Sequence, residues 1–315
     1  MCIPDKIEIS NAADRISSFI HRTPVLTSNS INQILDANFY FKCENFQKVG
    51  AFKYRGATNA LLRLNKDQLS NGVATHSSGN HAQALALAAK INGTKAYIVM
   101  PSNAPKTKKE AVIGYGAHVI ECEPTLEARE SALQQIVSST KAHFVHPYND
   151  YHVIAGQATA AMELIEQTSI LDFIIAPVGG GGLLSGTALS TKYLSPKTRI
   201  IGAEPAGAPD AFHSFQKGAI VPSRNPDTIA DGLLTSLGSK TFPIILQYVD
   251  DIMTVDDVQL IEAMKLIWQR LKIVVEPSAA VPLAVVMSNQ ELFAGKEIGI
   301  ILSGGNVDLN KLPFT

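Results

Sequence analysis

Cysteine is scarce: only Cys2, Cys43 and Cys122 occur in 315 residues, and no two form a Cys-x-x-Cys pair. That odd, scattered set argues against a disulfide scaffold and against a zinc ribbon. Charge of one sign is also lacking. Lys plus Arg is 27 against 28 for Asp plus Glu, a net charge of −1, which leaves no electrostatic footprint for nucleic acid or an anionic membrane. The longest apolar run, Ala279 to Met287, has nine residues including Pro282, far short of the ~20 that a spanning helix needs. Met1 to Lys6 shows no basic stretch followed by an apolar core, so no signal peptide is read and a cytoplasmic location is expected. Repeats at a fixed period and low-complexity tracts are absent too. Hydrophobic residues make up 46% and charged ones 17%, enough apolar material for a core and too little charge for disorder. A prior of roughly 150 residues per domain suggests about two domains.

Short β-rich runs alternate with longer helical patterns. Phe39 to Cys43, Val73 to Thr75, Lys95 to Met100, Ala117 to Cys122, Asp172 to Val178, Arg199 to Glu204 and Glu297 to Leu302 read as strands. Helical patterns cover about Lys53 to Leu64, Lys106 to Gly114 and Leu126 to Ser139, and an alanine-rich one runs on to about Ile91. Apolar strands between helices predict an α/β fold with an open parallel sheet covered on both faces. Met264, Leu266, Ile267, Trp268 and Leu271 form an amphipathic stripe, expected to face the core or a dimer surface.

Three predicted strands end in Gly/Ser turns: Ser77-Ser78-Gly79-Asn80, Gly179-Gly180-Gly181-Gly182 and Ser303-Gly304-Gly305-Asn306. Ligands of open parallel sheets sit outside the carboxyl ends of strands, so three such turns suggest one shared site. The four-glycine run precedes a helix opening near Leu183. Without Cβ atoms its backbone can close on an anion, and the helix start adds about half a positive charge, so phosphate is the natural ligand. No G-x-G-x-x-G passes through it and no Gly-Lys-Ser/Thr follows, which excludes the two common nucleotide loops. Lys53 stands between Gly50 and Gly56 at a predicted helix start, where its charge opposes the helix dipole. Burial and neighbouring positive charge would lower its pKa, as a Schiff-base amine requires. Read alone, such a residue is more often a solvated surface lysine.

Phe52-Lys53-Tyr54-Arg55-Gly56-Ala57, Ser77 to Ala84, the glycine run and Ser303 to Asn306, together with Val153 to Gln157 and Asp231-Gly232, resemble the fold type II pyridoxal-phosphate enzymes. The likeness is to the serine racemase and serine/threonine dehydratase branch and covers nearly the whole chain. It implies a two-domain open parallel-sheet fold of the tryptophan synthase β-like superfamily. The large cofactor-binding domain would be 1–71 plus 150–315, and a small mobile domain would be 72–149. Lys53 would hold the cofactor aldehyde, with Phe52 beside the ring and Asn80 on the 3-hydroxyl. Gly179, Gly180, Gly181, Gly182 and the Leu183 amide would cradle the phosphate, and Ser303 would face the pyridine nitrogen. A hydroxyl there supplies no proton as a carboxylic acid would, so the cofactor is a weaker electron sink.

The implied activity is loss of water from a β-hydroxy amino acid to give a 2-oxo acid and ammonia, with L-serine and L-threonine as substrates, and serine racemisation. Racemisation needs an acid/base on each face of the α-carbon, and Lys53 and Ser78 would serve them. Ser78 can also be read as a helix cap. Ser77, Ser78 and His81 would receive the substrate carboxylate on backbone N–H groups, while Arg129, Tyr148 and Ser236 would lie near its side chain. Tyr148 departs from racemases that carry asparagine there, and relatives with this tyrosine include threo-3-hydroxyaspartate ammonia-lyases. Arg129 would suit a second carboxylate. Glu204, the Ala208 carbonyl and Asp210 would hold Mg²⁺, Ca²⁺ or Mn²⁺. A homodimer is implied. ATP activation through Ser28 to Ile31, Lys48-Val49, Gln83 and Tyr115 loses a hydroxyl contact because Val49 stands where a threonine is usual. Two rivals remain: a β-replacing synthase, which usually has Thr at the position of His81, and a non-catalytic phosphate-ligand binding protein, whose usual mark is loss of the lysine that Lys53 supplies.

Overall fold

The computed structural model describes residues 2–104 and 106–314. Among them ten strands build two sheets: β1 (Val25–Leu26), β2 (Asn38–Cys43), β3 (Val73–His76), β4 (Ala96–Pro101), β5 (His118–Cys122), β6 (His143–Phe144), β7 (Phe173–Pro177), β8 (Arg199–Pro205), β9 (Asp251–Val255) and β10 (Glu297–Leu302). The six-stranded sheet runs β1-β2-β10-β7-β8-β9, parallel except for the antiparallel edge strand β1. The four-stranded sheet runs β5-β4-β3-β6, parallel throughout. All five residues of β7 and the last five of β10 are buried. Both faces are covered, which is why these strands appear in the sequence as unbroken apolar runs and not as alternating ones.

Helices coat each sheet on two sides. One face of the larger sheet meets Leu260, Met264, Ile267 and the apolar Pro277–Ser288 helix; Met264 and Ile267 are thereby core residues, with Trp268 packed at the margin. The other face meets the helices Tyr151–Gln167 and Gly182–Leu194. The smaller sheet is covered by Asn80–Ile91 on one face and by Leu126–Thr140 on the other.

The Lys53–Leu62 helix lies between these bodies. Tyr54, Ala57 and Leu61 join the core of the smaller sheet with Ala82 and Leu85, while Gly56 faces the Tyr151–Gln167 helix. A Cβ at Gly156 would lie 2.6 Å from the Gly56 Cα, and one at Gly56 would lie 2.7 Å from the Val153 carbonyl oxygen. The two backbones touch where both side chains are missing. Gly56 N–H donates to Gln157 Oε1 at 3.1 Å, and Asn59 Nδ2 donates to the His152 carbonyl at 2.7 Å.

A buried ion cluster pins the same helix. Arg55 Nε and Nη2 donate to Glu44 Oε2 and Oε1 at 2.7 and 2.8 Å, and Nη1 and Nη2 donate to Glu163 Oε1 and Oε2 at 2.7 and 2.9 Å. Lys42 Nζ donates to Glu163 Oε2 at 2.6 Å, to the Thr23 carbonyl at 2.8 Å and to Gln167 Oε1 at 2.7 Å. Two cations thus face two carboxylates. No helix among the described residues is long and apolar enough to cross a membrane.

Candidate active site

Parallel strands of one sheet end at one edge, so the turns after β7, β8 and β10 emerge together. The turn after β10 is tied to the lysine segment. Ala51 bridges Gly304, Phe52 N–H donates to the Ser303 carbonyl at 3.0 Å, and Gly305 N–H donates to the Gly50 carbonyl at 2.9 Å. Ser303 is buried beside Phe52 and Lys53. Lys53 opens its helix and donates Nζ to the Pro147 carbonyl at 2.9 Å. Its ammonium stands 5.2 Å from the Phe52 ring centre and 6.0 Å from that of Tyr148. Burial pushes the amine down to about 8, and the negative charge of Glu276 opposes that fall.

The glycine loop closes around Tyr148. A Cβ at Gly180 would fall 2.4 Å from the Tyr148 ring, and one at Gly182 would fall 2.9 Å from its Cβ. Gly181 takes φ +85, open to glycine at no steric cost, and caps the Gly182–Leu194 helix. Among the described residues the amides of Gly179 to Leu183 donate no hydrogen bond. These free N–H groups at a helix start form an anion cradle.

The turn after β3 has the same character. Gly79, not Ser78, is the N-cap of Asn80–Ile91, with no side-chain cap. Ser77 Oγ accepts from the Gly79 amide at 3.3 Å. The Ser78 hydroxyl has no hydrogen-bond partner among the described residues, so the capping role open to it in the sequence is not the one it fills. His81 Nε2 is 3.2 Å from the Val145 carbonyl, and its buried Nδ1 is unpartnered. Burial keeps this ring neutral by moving its pKa well below the usual imidazole range. A carbonyl accepts only, so Nε2 carries the proton.

An aromatic wall borders the cleft. His76 stacks on Phe144 at 5.8 Å, and the His146 and Tyr148 rings meet edge to face at 4.6 Å. His146 Nδ1 accepts from the Tyr148 and Asn149 amides at 3.2 and 2.9 Å, and burial lowers its pKa to about 4. It shapes a turn. Arg129 donates Nε to the Thr125 carbonyl at 3.2 Å. Its charge reaches His76, whose pKa burial lowers first and Arg129 lowers further, and it also reaches Tyr148. Ser236 is engaged elsewhere, its Oγ accepting from the Ser223 amide at 2.7 Å.

After β8, Glu204 is fully buried and accepts from the Ala211 and Phe212 amides at 2.8 and 2.7 Å. Burial pushes its carboxyl up to about 8 and that of Asp210 up to about 6. Both Asp210 oxygens are buried without a hydrogen bond of ordinary geometry, though Ser223 comes near enough to oppose the rise.

A family of pyridoxal-phosphate dependent enzymes matches residues 16–304. The chain belongs to that family. It has the fold type II architecture. It is 50% identical over 314 residues to the β-hydroxyaspartate dehydratase of Paracoccus denitrificans (strain Pd 1222), covering 100% of both chains. To the serine racemase of Dictyostelium discoideum it is 49% identical, over 97% of this chain and 95% of that one. The structure of maize serine racemase superposes with a TM-score of 0.95 at 45% identity, over 98% of this chain and 95% of that one.

Sequence reasoning missed Glu276, which is 4% exposed and accepts from Asn80 Nδ2. A lone Glu-Pro before an apolar helix reads as an ordinary helix start. The partners of Arg55 were missed as well, because they come from three separate segments.

Only a neutral amine attacks an aldehyde. Uptake of pyridoxal phosphate by cofactor-free protein is therefore expected to accelerate with rising pH around a midpoint near 8, below the ~10.4 of an ordinary lysine. Rapid-mixing absorbance across pH measures it, and a midpoint near that ordinary value would contradict the lowered amine.

Proposed function

We propose that this chain removes water from β-hydroxy amino acids to leave an enamine, whose imine form takes water back to give a 2-oxo acid and ammonia, and that it racemises serine. The single observation that carries the reading is the half-buried, pKa-lowered Lys53 amine lying near two turns, Ser77 to His81 and Gly179 to Leu183, rich in free backbone N–H groups. The residues present fit pyridoxal phosphate. Unpaired amides of Gly179 to Leu183 suit its phosphate, Phe52 and Ser303 flank the ring position, and Lys53 reaches its aldehyde. When bound, the cofactor draws electrons from the α-carbon and so acidifies its proton. Lys53, neutral above about pH 8, takes that proton from one face. Ser78, whose hydroxyl is uncommitted, gives or takes it on the other. The free amides of Ser78, Asn80 and His81 hold the substrate carboxylate. Residues 72–149 form the small domain that closes over the substrate, and 1–71 with 150–315 form the large one. Two such chains pair as a homodimer, in the cytoplasm.

A second reading, threo-3-hydroxyaspartate as substrate, is favoured by the reach of Arg129 to His76 and Tyr148. A guanidinium there suits a second carboxylate. Cofactor-loaded protein given L-serine, L-threonine and L-threo-3-hydroxyaspartate in turn should yield pyruvate, 2-oxobutyrate and oxaloacetate respectively, with D-serine measured alongside. Lys53→Ala is the blank. Ser78→Ala should lose D-serine by about 100-fold while keeping more of its elimination. Arg129→Met should raise KM about tenfold or more for hydroxyaspartate alone if the second reading holds. No oxo acid from any of the three would overturn both.

Glu204, the Ala208 carbonyl and Asp210 fit a hard divalent cation, because Asp210 offers two buried oxygens without a hydrogen bond of ordinary geometry. Protons compete with a cation for carboxylates held near pH 6 and 8. Addition of Mg²⁺, Ca²⁺ or Mn²⁺ should therefore raise Tm more at pH 8 than at pH 6. Asp210→Asn should abolish the increment. A Tm indifferent to all three ions would dispose of the site.

A further inference from the structure

Behind the Ser77 to His81 turn runs a line of hydrogen bonds that the proposed chemistry leaves unused. Asn306 Nδ2 donates to the Val49 carbonyl at 2.7 Å and to Asn80 Oδ1 at 2.8 Å. Asn80 Nδ2 donates to Glu276 Oε1 and Oε2 at 2.9 and 3.1 Å. The first link sets the direction of all the others. A backbone carbonyl only accepts, so Asn306 must present its NH₂ to Val49. The same NH₂ meets Asn80, which must answer with its oxygen. Asn80 is then left with its own NH₂ toward Glu276, a carboxylate that accepts.

The backbone is shaped around this line. Val49 sits at φ 57, ψ 14, a left-handed conformation that a β-branched residue rarely adopts. Gly50 follows at φ +68, and a Cβ there would stand 2.9 Å from Asn306 Oδ1. A Cβ at Gly304 would stand 2.6 Å from Glu276 Oε1. Glu276 also donates its own amide to the Gly304 carbonyl at 3.0 Å. One Asn80 hydrogen shared between the two carboxylate oxygens leaves the second N–H unspent.

We propose that Asn306 is a positioning residue: through this one-way line it makes Asn80 a hydrogen-bond donor, never an acceptor, toward the cofactor, so that the site selects the ionised 3-oxygen of pyridoxal phosphate. The inference rests on Asn80 facing that oxygen, as in the reading above. Glu276 is the terminal acceptor of the line, and its role is to receive, which a neutral amide oxygen can also do.

The test compares cofactor-loaded wild type with Asn306→Asp and Glu276→Gln, reading the dissociation constant of pyridoxal phosphate and the pH midpoint of the bound cofactor's visible band. Thermal melting serves as the fold control. Asn306→Asp turns the donor into an acceptor and invites the Asn80 amide to reverse. It should weaken cofactor binding about tenfold and move the band midpoint to higher pH, since the ionised oxygen loses its donor. Glu276→Gln should keep the dissociation constant within about threefold of wild type, because its amide oxygen still accepts, and its lost charge should move the band midpoint to lower pH, opposite to Asn306→Asp. Should Asn306→Asp not fold, Asn306→Ala removes the donor without adding charge and is read the same way. An Asn306 variant that melts like wild type and keeps its affinity and band overturns the proposal. So does a Glu276→Gln loss of affinity as large as that of Asn306→Asp, which would make charge and not direction the operative factor. Wild type that takes up no cofactor would instead strike at the functional reading.

Discussion

Two carboxylates, Glu44 and Glu163, close on the buried Arg55 guanidinium with four hydrogen bonds of 2.7 to 2.9 Å. The rest of the site depends on that clamp. Arg55 follows Lys53 by two residues, about 200° around the helix, so one points into the protein body while the other points into the cleft. Glu44 lies just after β2 and Glu163 lies on the Tyr151–Gln167 helix. The clamp therefore fixes the Lys53 helix against both. Buried ion pairs of this kind add little net stability, since desolvation offsets most of the Coulombic gain, but removing one partner leaves a buried charge uncompensated. Its contribution here is location.

Location is then refined by missing side chains. Gly56 against Gly156, Gly180 and Gly182 against Tyr148, and Gly304 against Glu276 are approaches that no Cβ would permit. Each brings backbone or a bulky side chain to a place where it serves the site. The bulk of Tyr148 also narrows the cleft beside Lys53 and carries the aromatic wall from His76 to the glycine loop. That ring touches both the glycine loop and His146, so a different residue at this position would change the support of Gly180 and the end of the aromatic wall together.

Much of this arrangement was legible in the sequence. The apolar runs Phe173 to Val178 and Glu297 to Leu302 announced buried parallel strands, and the Gly/Ser turns after them announced a shared edge. Lys53 stood out because a cation at a helix start opposes the dipole. What could not be read has a common cause. Glu44, Glu163 and Lys42 look like ordinary surface charges until the fold brings them around Arg55, since pairing across 108 or 121 residues leaves no periodic trace. Glu276 hid for the same reason, its partner Asn80 lying 196 residues away. The Ser236 hydroxyl accepts from the Ser223 amide, a local bond that no spacing rule reveals.

The central claim is that the clamp and the turns hold Lys53 as the group that carries the cofactor. Borohydride reduction of the cofactor-loaded protein, followed by digestion and mass analysis of the peptides, tests it most directly. The account predicts a single reduced pyridoxyl-phosphate adduct on Lys53 of the Phe52-Lys53-Tyr54 segment. An adduct on another lysine, or none on a protein that visibly holds the cofactor, would contradict it.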